Sequence, residues 1–451
     1  MTALRSHDYL GAILTDAHAR TLSLIDGLSG DCLVGPRLAI VNPRLWEIGH
    51  TAWFHESFIL RGRDNRAPLI DIADALYDSM AVAHHTRWDL PLPDLDRTLA
   101  YRNAVRDALI ERLGQRGVEE DDSYLYQLTV LHEDMHGEAL TYTRQTLGDP
   151  APPGAVATPD RAGPLPGDVE VPGGTFVLGS HPNAPFLFDN EKWAHPVELA
   201  PFRIARAPVT NGEFAEFVEA QGYARDAYWS EEGWAWKERE NARQPIYWSK
   251  HGAHGWTLRF FDREIPLPEY EPMAHVSWYE ARAWCRFAGR LLPSEAEWEA
   301  AAAGTPAAGT PAAGMPAAGT PAAGTSAAAS RLAFGKRRYP WGQAAPEPRH
   351  ARLDGARLGC ADVAAHPDGD SAFGCRQMLG NVWEWTSSDF EPFPGFSPDV
   401  YRDYSAPWFG TRKVLRGGCW ATRARLVNNT YRNFFEPWRR DIFAGFRTCA
   451  P

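Results

Sequence analysis

The sequence predicts an α+β protein, an N-terminal four-helix bundle followed by a larger, irregular domain. Three observations lead there. Residues 1–150 repeat apolar side chains at helical spacing, and from about 170 short segments alternate with Gly, Pro, Asn and Asp. The stretch between, 151–169, is rich in Pro, Gly and Ala and reads as a linker. At 451 residues the chain is also too long for one ordinary core. Its 44% hydrophobic and 23% charged residues are those of a soluble globular protein. A net charge of −11 argues against a general nucleic-acid binder. No basic stretch followed by an apolar core opens the chain, so no signal peptide is expected, and no apolar run reaches membrane-spanning length. Cys32, Cys285, Cys360, Cys375, Cys419 and Cys449 are scattered, with no Cys-x-x-Cys, as expected of free thiols in a reducing cytoplasm.

The first helix shows apolar residues at Leu10, Ile13, Leu14, Ala17, Leu24 and Leu28. The second is expected to start with Asn42 as N-cap and Pro43 at the first helical position. It carries Trp46, His50, Trp53, Ser57 and Leu60 on one face and ends by Gly62. A third covers roughly 96–113, before Gly114. The fourth begins after Asp121-Asp122-Ser123 and stops at Gly148-Asp149-Pro150, with Leu128, His132, Met135, His136 and Ala139 as its stripe. In the second domain, 170–451, Val169 to Gly179 reads as a hairpin. Helices are expected at 211–220 and 278–289, with a third capped by Ser294 and Glu297. Residues 304–328 repeat Gly-Thr-Pro-Ala-Ala without charge, and read as a disordered surface insertion.

His132 and His136, four apart, share one helix face, and His50 lies on the stripe of another helix. Two imidazoles one turn apart grip one metal ion, and a bundle core is where a third ligand joins them. Glu138 is a candidate for orienting a ligand from behind. His132-Glu133-Asp134-Met135-His136 also matches His-Glu-x-x-His, the helix of zinc proteases, with Glu133 as base. Three histidines with open positions suit either zinc hydrolysis or iron-dependent oxygen chemistry, and ligand types alone do not choose.

Gly49-His50 with Trp53-Phe54, the 132–138 helix, Gly380-Asn-Val-Trp-Glu-Trp385 and Leu415-Arg-Gly-Gly-Cys-Trp420 together resemble the sulfoxide synthases of ergothioneine biosynthesis. Those enzymes join a DinB-like four-helix bundle to a formylglycine-generating-enzyme/C-type-lectin-like domain. The resemblance covers nearly the whole chain outside the repeat. It implies a mononuclear non-haem Fe(II) on His50, His132 and His136, with O2 and hercynine as substrates and a chalcogen donor joined to C2 of the hercynine imidazole. It also implies that Asn433, Phe434 and Phe435 meet the betaine, and that Arg439 and Arg440 meet an acidic partner. Aromatic faces do attract quaternary ammonium, and an asparagine hydrogen-bonds a carboxylate. The plainer alternative makes Phe434 and Phe435 core and the arginines a solvated pair.

The chain departs from that pattern in two places. Met135 stands where the family tends to carry Gln. The loop Ser387 to Phe396 has Phe where the family tends to have Tyr, which leaves Tyr401 and Tyr404 as candidate proton donors. With Tyr77-Asp-Ser and His84-His-Thr-Arg87-Trp88, these departures look most like the selenoneine synthase branch, whose donor is 1-seleno-glucose. A neutral sugar asks for aromatic platforms, and the stretch 227–256 offers Trp229, Trp234, Trp236, Trp248 and Trp256. Arg87 suits either donor, or a structural ion pair. Three other readings stand beside this one: a sulfur donor, a DinB-type zinc hydrolase or transferase needing no O2, and a lectin-like binding module. A formylglycine-generating enzyme is disfavoured because its copper needs a close cysteine pair, whereas Cys419 and Cys449 lie far apart.

Overall fold

The computed structural model describes residues 4–115, 117–153, 161–250, 255–306 and 335–451. Nearly all of the Gly-Thr-Pro-Ala-Ala repeat lies outside the described residues. The chain forms two units, Met1–Pro153 with His181–Leu187, and Gly154–Ser180 with Phe188–Pro451.

The helices of the first unit are α1 (His7–Ile25), α2 (Arg44–His55), the short α3 (Ala73–Tyr77), α4 (Leu95–Gln115) and α5 (Glu120–Leu147). The four long ones make the bundle, with α1 and α2 each packed on both α4 and α5. The Ser6 hydroxyl caps α1 by accepting from the Tyr9 N–H at 3.2 Å. Leu10, Ile13, Leu14, Ala17 and Leu24 are buried, as their spacing predicts. Gly148, at φ 71°, closes α5 in the left-handed region open to glycine. Two boundaries differ from expectation. Pro43 itself caps α2, and its carbonyl accepts from the Glu47 N–H at 3.0 Å. The acidic residues 120–122 lie inside α5, where they favour the positive end of the helix dipole. After His55 the second helix widens into a π-helical segment, Glu56–Arg61.

The second unit holds β1 (Asp168–Val171), β2 (Gly174–Leu178), β3 (His195–Leu199), β4 (Phe202–Ala205), α6 (Asn211–Glu219), α7 (Glu231–Arg239), β5 (Trp248–Lys250), β6 (Trp256–Phe260) and β7 (Arg263–Pro266). Then follow α8 (Trp278–Ala288), α9 (Glu295–Ala303), β8 (Trp383–Asp389), β9 (Lys413–Arg416), β10 (Asn433–Phe435) and β11 (Ala444–Gly445). The strands are short, in sheets ordered β10-β9-β8-β11, β5-β6-β7, β1-β4 and β2-β3. The expected Val169–Gly179 hairpin is therefore corrected: β1 pairs with β4 and β2 with β3. Gly173 passes so close to the Leu199 carbonyl that a Cβ would meet it at 2.6 Å, and Gly174 turns at φ 131°. The bend sends the two strands to different partners. Thr210 with Glu213, Ser277 with Glu280, and Ser294 with Glu297 form reciprocal capping boxes on α6, α8 and α9.

Buried charge pairs tie this loop-rich unit together. Arg416 donates to Glu295 at 2.8 Å and Glu299 at 2.6 Å. Arg447 grips both oxygens of Glu384 at 2.6 and 2.7 Å, and the Trp298 indole N–H donates to the same carboxylate at 2.7 Å. Gly380, at φ 79°, presses on the Arg352 carbonyl, which a Cβ would meet at 2.4 Å. The two tryptophan-glycine motifs thus build core and backbone turns. Trp229, Trp236 and Trp248 are also buried, and the Trp229 N–H is taken by the Gly222 carbonyl at 2.9 Å. Three of the five rings of the expected sugar platform are core.

Burial lowers His18 in the bundle and His275 in the second unit from 6.5 to about 4. Both are neutral in the fold and titrate at the ordinary value once unfolded, so below 6.5 the unfolded chain binds more protons. Unfolding free energy should fall as pH drops from 6.5 towards 4, by up to about 3 kcal/mol per histidine. Urea unfolding at stepped pH reads this, and a flat profile across that window would contradict both assignments.

Candidate metal centre

Helix α2 carries His50, and α5 carries His132 and His136 one turn apart. The packing of α2 on α5 brings the three rings together, with centroids 5.1 Å (His50–His132), 4.9 Å (His50–His136) and 4.5 Å (His132–His136) apart. One nitrogen from each lies within 4.8 Å of the others, a spacing that could hold a metal ion.

Hydrogen bonds set the orientation of two rings. His50 Nδ1 lies 2.8 Å from the Tyr77 carbonyl, and His136 Nδ1 lies 2.7 Å from Glu47 Oε1. A carbonyl or carboxylate only accepts, so Nδ1 is the donor in each bond, and in His50, which burial keeps neutral, Nε2 keeps its lone pair. His132 stacks on Phe54 at 3.7 Å. Trp46 stacks on His50 at 4.6 Å, and Trp53 lies 5.8 Å away on its other neighbour contact. Burial, then the neighbouring His136, hold His50 and His132 well below the usual histidine range. Neutral imidazole is the form that binds a metal. Gly49 makes the anchor possible, because a Cβ there would strike the Tyr77 ring at 2.2 Å.

Glu133 does not face this group. Its Oε1 accepts from Thr21 at 2.6 Å and from Arg102, and its Oε2 lies 2.9 Å from His55 Nε2. Burial alone would raise its pKa, but Arg102 and His55 outweigh burial and hold the carboxyl well below the usual range. The zinc-protease reading needs this glutamate as a base beside the metal, so the match to His-Glu-x-x-His is one of letters. A buried carboxylate that the sequence reasoning did not single out, Glu47, stands behind His136. No local sequence signal marks it, because its partner His136 lies on another helix.

The chain matches the DinB superfamily over residues 13–140 and the Sulfatase-modifying factor enzyme 1-like domain over 154–450. It is 37% identical over 452 residues to the hercynine oxygenase of Mycobacterium tuberculosis, covering 98% of this chain and 99% of that one. This chain belongs to the hercynine oxygenase family. It is thereby an oxidoreductase. The Mycolicibacterium smegmatis hercynine oxygenase is 36% identical over 418 residues, covering 90% of this chain and 91% of its own. The formylglycine-generating enzyme of Streptomyces coelicolor is 33% identical over 321 residues, 63% of this chain and 86% of that protein.

The remaining candidates of this hercynine oxygenase relative fall into two groups. Arg87 lies in the bundle, donating to Asn42 Oδ1 at 2.7 Å and stacking 3.7 Å over the Trp46 ring that covers His50. Met135, half-buried, sits on α5 between the two histidines. The others lie in the second unit. Phe434 stacks on Phe390 at 4.0 Å, and Tyr404 stands edge-on to it at 6.0 Å. Asn433 Oδ1 accepts from the Phe434 N–H at 2.8 Å. Tyr401 lies 5.8 Å from Tyr404, whose phenol is pushed well above its usual range by burial and by Tyr431. The arginines are not a solvated pair. Arg439 is bidentate to Asp441, both bonds at 2.6 Å, and stacks 5.1 Å over Phe435, while Arg440 lies 3.7 Å from Glu280. Each charge has an acidic partner within the unit.

Replacing Glu133 by Ala should cost about 3–5 kcal/mol, since Arg102 and His55 would keep buried polar groups without their carboxylate. Denaturant unfolding of the metal-free protein measures it. A loss below about 1 kcal/mol would sink the structural role argued for Glu133.

Proposed function

We propose that His50, His132 and His136 hold one Fe(II) and that the chain uses O2 to join a chalcogen donor to C2 of the hercynine imidazole. The observation that carries this is the group of three clustered histidines, two with Nδ1 engaged in a hydrogen bond, in a chain matched end to end by a hercynine oxygenase. The donor set fits the metal: three neutral imidazoles leave coordination positions open for small molecules. Bound Fe(II) would supply the activation of O2. Trp46, Trp53 and Phe54 pack round His50 and keep that side of the site dry. In the second unit, the aromatic faces of Phe434 and Phe435 suit a quaternary ammonium, and the Asn433 amide suits the carboxylate beside it. Tyr404, with Tyr401 as its neighbour, retains its proton at neutral pH, which a proton donor requires.

The donor we favour is a neutral selenosugar. A thiol donor bearing carboxylates, such as γ-glutamyl-cysteine, asks for arginines. Arg439 and Arg440 are held by Asp441 and Glu280, and Arg87 is engaged by Asn42 and Trp46. Met135 adds a soft, uncharged thioether where a polar contact would otherwise be made.

His132→Ala should abolish both stoichiometric iron binding and turnover. Full iron occupancy in that variant, by metal analysis, would refute the ligand set, and tight zinc with O2-independent turnover in the wild type would favour the hydrolase.

Donor choice is read by offering selenoglucose, γ-glutamyl-cysteine or cysteine separately, with hercynine and air, and weighing the product. A selenium-bearing hercynine product with selenoglucose alone is expected. A sulfoxide formed from either thiol would place the protein with the sulfur enzymes.

A further inference from the structure

We propose that Glu47 is a positioning residue for the metal: its carboxylate fixes the tautomer and aim of His136 and sets a negative charge beside the cation. The inference rests on the three-histidine assignment made above. Two buried carboxylates of the bundle show the contrast that leads to it. Glu133 has partners on both oxygens, Thr21 and Arg102 on one and His55 on the other. Glu47 is 1% exposed, yet only Oε1 is bonded, to His136, while Oε2 has no hydrogen-bond partner among the described residues. A buried carboxylate oxygen without a hydrogen bond is costly unless positive charge lies near. Arg44 acts on it electrostatically, but the Arg44 guanidinium is bonded to Asp149 and the Cys32 carbonyl. A dication on the three histidines provides the missing charge across the His136 ring.

The placement on α2 matters as much as the charge. Glu47 and His50 are three residues apart on one helix, so they share a face. His50 offers a ligand from that face, and Glu47 reaches the ligand on α5 from the same face. The α2 helix thus supplies one donor and aims another. Without Glu47, His136 is free to place its proton on Nε2 and turn the wrong nitrogen inward. Behind-the-ligand carboxylates of this kind typically change metal affinity by about 10–100-fold.

The test uses the full chain. Anaerobic Fe(II) is titrated against a chelating indicator in the wild type, Glu47→Ala, Glu47→Gln and His136→Ala. In parallel, the metal-free proteins are labelled with 15N-histidine and the imidazole tautomers read by NMR. Glu47→Ala should weaken Fe(II) binding by about 10–100-fold and move His136 from the Nδ1–H towards the Nε2–H tautomer. Glu47→Gln, of nearly the same shape, should fall between, and it carries the test alone if the alanine variant does not fold. Affinity within twofold of wild type in the folded variants, or an unchanged His136 tautomer, would overturn the proposal. Iron held as tightly by His136→Ala as by wild type would instead overturn the three-histidine assignment, and the inference with it.

Discussion

Imidazoles buried among aromatic rings serve a metal only when they are neutral and turned the right way, and in this bundle hydrogen bonds to Nδ1 set the aim of two of the three. The Tyr77 carbonyl holds His50, and Glu47 holds His136. Each bond depends on packing elsewhere. Gly49 has no side chain, so the Tyr77 ring packs closely on α2, and the Tyr77 carbonyl lies within reach of His50. Trp46 donates to the Leu76 carbonyl at 2.6 Å and Trp53 to Asp74 at 2.7 Å, which pins the same short helix that carries Tyr77. A run of contacts from Gly49 to Asp74 therefore stands behind the orientation of His50. The burial that holds His50 and His132 below the usual histidine range also leaves them in the neutral form a metal requires.

The second unit solves a different problem. Its strands are too short to hold a core by ladder hydrogen bonds alone, and it uses paired charges in the interior. Arg416 and Arg432 share Glu295, Lys336 joins Glu299, and Arg447 with Trp298 closes on Glu384. Such pairs are weak sources of net stability but strict in geometry, because losing either partner leaves a buried charge. That strictness explains why Glu384, Arg416 and the flanking glycines stand out in the sequence. The recognition motifs of this unit, 380–385 and 415–420, are scaffold, and they say little about the molecule bound.

Much of the architecture was legible because it rests on local physics. The i, i+4 histidines, the apolar stripe of α1, the glycine stop of α5 and the three capping boxes each follow from residues within one or two turns. Strand partners were not legible. The same letters at 169–179 suit a hairpin until Gly173 meets the Leu199 carbonyl. The arginines at 439 and 440 read as open charges because Asp441 and Glu280 become partners only through the fold, although Asp441 is two residues away.

The sequence by itself determined the fold class, the two-part organisation and the three histidines, since periodicity and spacing within single helices specify which side chains share a face. The tertiary structure alone decided which nitrogen each of two rings turns inward, that Glu133 is a structural anion, and that Glu47 stands behind His136. Those outcomes depend on residues brought together from different helices, and a carboxylate three residues before a histidine means nothing until the packing of α2 on α5 sets it against another.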